Sequence, residues 1–123
     1  MIKSAQKRKQ RKFRFTAAMH ERQKFANAHI SKELASKLGI KKRSMQIRKG
    51  DTVKVMAGDN KGKSGKVNDV NLLKGTVSID GIIRKNAKGK EQPIPISASN
   101  IYITEMDTTD KARQAKIDSF KKK

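Results

Sequence analysis

The chain has 123 residues, with 31 Lys or Arg against 11 Asp or Glu and a formal net charge of +20. Apolar residues make up 34% and aromatics 4%, with neither Trp nor Cys. That bounds it to one small-cored domain and excludes disulfides, zinc–thiolate sites and thiol chemistry.

No apolar run approaches the roughly 18 residues of a membrane span. The N-terminus is basic but lacks the apolar stretch of a secretory signal. It also lacks a Trp/Leu-rich amphipathic helix that would favour a membrane surface. A positive field this strong draws polyanions, nucleic acid foremost. The excess sits at the front. Residues 1–49 carry 16 basic and 2 acidic side chains, residues 50–104 carry 9 and 5, and residues 105–123 carry 6 and 4.

Residues 1–15 read as a basic arm. Lys7, Arg8, Lys9, Arg11, Lys12 and Arg14 crowd around Phe13 and Phe15. Self-repulsion is expected to keep such a segment extended until a polyanion neutralises it. Its two phenylalanines suit stacking on unpaired bases or filling an apolar notch.

Residues 16–45 read as short helices and a basic linker. Thr16 is a candidate N-cap and Gly39 a stop. Ile30, Leu34 and Leu38 form a stripe four residues apart, with Arg22, Lys24, Lys32 and Lys37 opposite. A break is expected near residues 27–30, with Ser31 capping a second helix. His20 and His29, without Cys or nearby acids, make a poor metal pair. Contact with backbone or phosphate is the better reading of both. The linker adds Lys41, Lys42 and Arg43.

From residue 46 to 104 the pattern turns to strands. Thr52–Met56 alternates with period two, and Lys66–Val70 does so with a slip that suggests a bulge. Thr76–Asp80 is a third strand, and Ile82–Lys85 follows Gly81. Asn86–Gly89 is a turn. Gln92–Ile96 is demoted to an edge by its two prolines, and Ile101–Thr104 ends the set. Short strands separated by glycine turns predict a mainly β fold, a small barrel. The charged tail, residues 105–123, carries acids before bases, which suits a short helix from about Thr109, with a frayed or disordered end as the equal alternative.

One stretch imitates a phosphate loop: Ala57-Gly58-Asp59-Asn60-Lys61-Gly62-Lys63-Ser64. A phosphate loop needs a helix N-terminus after it. Gly65 and a β-rich run follow instead, containing Asn68, Asp69 and Asn71, all poor helix formers. No parallel α/β sheet fits in the remaining chain, so a nucleotide hydrolase is rejected. Asp51, Asp59, Asp69 and Asp80 lie at strand ends and turns, where Asp commonly caps. No nucleophile–base pair appears, and no enzyme, cofactor, metal or small-molecule substrate is expected.

From Arg48 the stretch RKGDTVKVMAGDNKGKSGKV resembles the KOW motif, a strand–turn–strand unit of SH3-like barrels. Met19–Arg22, Ala28–Leu34, Arg43–Met45, Asn86–Gly89 and Ser99–Ile101 extend the likeness. Together they resemble the archaeal and eukaryotic form of the large-subunit ribosomal protein L-twenty-four family. The likeness covers roughly residues 7–104. Ala18 and Gln46 stand where the family often has proline.

The resemblance implies a cytoplasmic, ribosomal rRNA-binding protein that supports early subunit assembly near the exit tunnel. Its partners would be large-subunit rRNA and neighbouring proteins, with no membrane. The expected RNA-binding residues are the six arm cations named above, His20, Arg22, Lys24, His29, Lys41, Lys42, Arg43, Arg48 and Lys49. The glycine-lysine turn adds Gly58, Lys61, Gly62, Lys63 and Lys66, and the next hairpin adds Arg84 and Lys85. In that turn Gly58, Gly62 and Gly65 are expected to allow φ > 0 and a close approach to RNA. A KOW-type transcription elongation factor is the alternative. Such factors carry a separate mixed α/β domain, for which residues 1–49 are too basic and too short.

Overall fold

The computed structural model describes residues 2–121. Lys122 and Lys123, part of the expected basic tail end, lie outside the described residues.

The arm is not extended. Residues Lys7–Thr16 form helix α1, with no acid in its first turn and no buried residue. Lys, Arg and Gln are good helix formers, and that propensity outweighs the like-charge repulsion. Tertiary contacts help. Phe13 meets Phe25 edge to face, with ring centroids 6.2 Å apart, and the Arg14 guanidinium lies 5.7 Å from the Phe25 ring centre. Thr16 therefore ends a helix instead of starting one, and its hydroxyl donates back to the Lys12 carbonyl at 2.9 Å.

The expected helical region 16–39 divides into unlike parts. One turn of helix, α2 (Met19–Arg22), runs into a 3-10 turn at Gln23–Phe25. The break at residues 27–30 is a strand, β1 (Asn27–Ile30), with Ala28 and Ile30 buried and the alternate residues exposed. Helix α3 (Lys32–Leu38) begins as expected, the Ser31 hydroxyl accepting the Leu34 N–H at 3.2 Å. It ends at Gly39, left-handed at φ 65°.

Six more strands follow: β2 (Ser44–Gln46), β3 (Thr52–Val55), β4 (Ser64–Asn71), β5 (Thr76–Lys85), β6 (Glu91–Ser97) and β7 (Ile101–Glu105). They join β1 in one sheet of order β2-β1-β7-β3-β4-β5-β6. The last strand sits near the middle. It runs parallel to β1, with Ile30 opposite Ile103, and antiparallel to β3, with Val53 opposite Ile103. The bulge expected in β4 lies between Val67 and Asp69. The two runs on either side of Gly81 form a single strand. Val77 and Ile79 face inward, Asp80 and Gly81 are exposed, and Ile82 is buried again. Gly81, at φ 77°, shifts the pleat by one residue and bends the strand. As expected, the proline-bearing β6 is an edge.

The sheet curls around one core. Ala28 from β1, Val53, Val67 and Val77 from the middle strands, Ile96 from β6 and Ile101 and Ile103 from β7 belong to one buried cluster. Strands from opposite ends of a sheet share a core only if the sheet wraps on itself, which gives the small β-barrel-like fold expected. The tail is anchored. Asp110 caps α4 (Lys111–Ser119), its Oδ1 accepting the Ala112 N–H at 2.9 Å, and Arg113 and Ile117 are buried.

Candidate nucleic-acid interface

Four positive groups emerge from the fold. The first is α1, whose Lys7, Arg8, Lys9, Arg11, Lys12 and Arg14 are all exposed. None pairs with a carboxylate among the described residues. Lys7, Gln10, Arg11 and Arg14 fall at i, i+3, i+4 and i+7, one face of the helix. The second is the connection from α3 to β2, with exposed Lys41, Lys42 and Arg43. There the Lys42 Nζ lies 4.0 Å from the centre of the Phe120 ring, just past α4.

The third group is the glycine-lysine turn between β3 and β4. The Gly62 N–H donates to the Val55 carbonyl and the Val55 N–H to the Lys63 carbonyl, each at 2.8 Å. The loop is thus a strand-to-strand connection, and no helix follows it. Gly58 and Gly62 adopt φ 93° and 90°, and a Cβ on either would meet nothing within 4 Å. Both face open space. Gly65 does not fit that role. Its φ is not positive, and its Cβ would lie 2.6 Å from the Asp80 carbonyl oxygen and 2.8 Å from the Ile79 Cγ2. It is glycine because β5 crosses close beside it. Lys61 is exposed, and Lys63 donates to the Asn60 Oδ1 at 3.0 Å.

The fourth is the β5–β6 hairpin, where Arg84 is exposed and Lys85 lies 3.6 Å from Glu91.

Other expected residues have work inside the chain. Arg22 donates to the Ala17 carbonyl at 2.8 Å and to the Phe15 carbonyl, so it ties α1 to α2. His29 packs beside Tyr102, centroids 5.5 Å apart, across the β1–β7 pair. His20 and Lys24 are exposed. Arg48 pairs with Asp110, the cap of α4. Lys49 lies 2.7 Å from Asp69 and holds that carboxyl below its usual range by hydrogen bond and charge. Lys66 sits beside Gly50 and helps lower Asp107, whose shift comes first from the Thr109 N–H and hydroxyl. Asp110 is lowered chiefly by the Arg48 hydrogen bond.

One pair had no sequence signal. Asp51, fully buried, receives both Arg113 nitrogens, at 2.6 and 2.7 Å. It also accepts the Arg48 N–H at 2.9 Å and the Asp107 N–H at 3.0 Å. Its partner lies 62 residues on, in a segment read only as a charged tail. Asp51 therefore clamps α4 to the barrel as well as bounding a strand. Phe25, the anchor of α1, was likewise missed. It is a lone aromatic in a helical-looking run, and nothing local marks it as a dock.

Comparison with known proteins places these features in a family. The model of the ribosomal proteins L26 (eukaryotic) and L24 (archaeal) matches residues 4–119. It thus runs through α4, beyond residue 104 where the resemblance read from the sequence stops. The chain is 47% identical to the large ribosomal subunit protein uL24 of Methanosarcina barkeri over 114 residues, 93% of this chain and 97% of that one. It is 48% identical to uL24 of Methanothrix thermoacetophila over 111 residues, 90% and 94% of the two chains. Against uL24 of Saccharolobus solfataricus the figure is 44% over 114 residues, 93% and 94%. The elongation-factor reading draws no support from these matches. The chain belongs to this family of large-subunit ribosomal proteins, and it is a structural constituent of the ribosome, not an enzyme.

Proposed function

We propose that the chain binds large-subunit rRNA directly and supports early assembly of the subunit near the exit tunnel. One observation carries the reading: α1 exposes six cations with no carboxylate partner among the described residues. A helix that repels itself so strongly is matched to a polyanion. The open turn around Gly58 and Gly62 and the cations Lys41, Arg43, Lys61 and Arg84 extend the same chemistry to the barrel. Structured RNA is met mainly through shape, phosphates and 2′-hydroxyls, so no dense set of base contacts is needed. Cations that meet phosphates release counterions, which makes affinity fall with salt. Arg22, Arg48 and Lys49 add positive potential while they brace the chain itself.

The test is binding to an rRNA transcript across a salt series. Log K should fall with log salt by about 0.7–0.9 for each phosphate neutralised. A slope near zero rejects direct RNA binding. For the assembly role, large subunits isolated from depleted cells should accumulate as incomplete particles; normal particles lacking only this chain would reject it.

A further inference from the structure

Building on the rRNA-binding reading, we propose that the groove between α1 and Phe25 receives one unstacked nucleotide of the bound RNA. The groove is open to solvent and has a volume of about 610 Å3, within the ~300–1,000 Å3 typical of small-ligand sites. Two rings, Phe13 and Phe25, line it and stand edge to face. Both are half-buried, so part of each ring remains open. Lys7, Arg11 and Arg14 also line it, and among the described residues no carboxylate does.

A nucleotide is the ligand that matches both halves of this lining. Its base offers a π-face to the phenylalanines and its phosphate an anion to the three cations. Gln10, on the same face of α1, supplies the polar handle. Its Nε2 donates once, to the Ser4 carbonyl at 3.1 Å. A second N–H and the amide oxygen are left to meet a base edge. The site exists only because the arm is helical. Coiling brings residues 7, 10, 11 and 14 onto one face above Phe25, whereas an extended arm would scatter them. The RNA partner is therefore one with an extruded base, a bulge or loop, and not a uniform duplex.

The test uses the full-length protein and two RNA hairpins of equal length. One carries 2-aminopurine in a single-nucleotide bulge; the other carries it paired in the stem. The bulged hairpin should bind about tenfold tighter, the gain expected from stacking one base, and its fluorescence should change on binding. Phe25→Leu, which keeps an apolar side chain but no π-face, should bring the ratio close to one. A 4-thiouridine at the bulge should cross-link on irradiation to the peptide holding Phe13 or Phe25. That wild-type cross-link decides the matter however the variant folds. Equal affinity for both hairpins, with cross-links elsewhere, overturns the proposal, the groove then being closed by the chain's own Ile2. RNA binding itself would still stand in that case. Failure to bind either hairpin overturns the RNA-binding reading and this proposal with it.

Discussion

Asp51 and Arg113 show how much one side-chain pair can hold. The carboxylate accepts four hydrogen bonds, two from the guanidinium and two from backbone N–H groups. Arg113 also donates to the Asp107 carbonyl at 2.9 Å. Removing one partner leaves a buried charge, which typically costs about 3–5 kcal/mol. Arg113→Ala should lower stability by that order in urea unfolding, an unchanged midpoint counting against the clamp. The double substitution Asp51→Leu with Arg113→Met should recover only part of the loss, since the Arg48 and Asp107 N–H groups lose their acceptor.

Gly65 and Gly58 separate two uses of the same residue. Gly65→Ala must push β5 away and should cost roughly 1–3 kcal/mol. Gly58→Ala meets no neighbour and carries only the strain of its positive φ, about 1 kcal/mol. Equal losses in the two melts would refute this distinction.

Asp69, Asp107 and Asp110 all have folded pKa values below the ordinary carboxylate range. Their contribution to stability is complete above the unfolded value of about 4. It disappears as pH falls through the lower folded values. Urea midpoints should accordingly drop on acidification below about pH 4, and Asp107→Asn should flatten that drop. A midpoint insensitive to acid in the parent chain would contradict it.

At the level of elements, the strands with valine and isoleucine in strict alternation were readable. Burial of one face imposes period two directly on Thr52–Val55 and Thr76–Ile79. Strand β1 was not readable. Asn27–Ile30 lies in an alanine-rich run with helical spacing, and it is extended because it pairs with β2 on one side and, on the other, with β7 at the far end of the chain. Propensity reports on neighbours in sequence, and this partner is distant. Helix α1 shows the reverse error. Charge repulsion was legible, but the docking of Phe13 on Phe25 was not. The candidate site divides in the same way. Which residues are positive could be read, but not which of them the fold turns inward, such as Arg22 with its backbone carbonyls. Like charges four apart, Lys7 with Arg11 and Arg8 with Lys12, each oppose α1 by about 0.2–0.5 kcal/mol. Helix content measured by circular dichroism should therefore rise when RNA or polyphosphate is added at low salt. Phe13→Ala should lower it in the free chain, and no change in either case would mean that α1 is held by other contacts.

At the scale of the whole molecule, charge and core are kept apart. Helix α1 contributes no buried residue, and the buried set begins at Ala17. The barrel should thus survive loss of the arm, because α1 adds cations without adding core. Deleting residues 1–16 removes six cations of α1 together with Lys3. If the six in α1 each meet one phosphate, the slope of log K against log salt should flatten by about 4–5. The unfolding midpoint should change little, since α1 leans on the half-buried Phe25 and reaches, through Arg14, toward Gly75, neither of which belongs to the apolar core cluster. A weakened affinity with an unchanged slope would mean that the arm acts through shape or stacking alone. An unchanged affinity would move the RNA interface to the glycine-lysine turn and the Lys41–Arg43 segment.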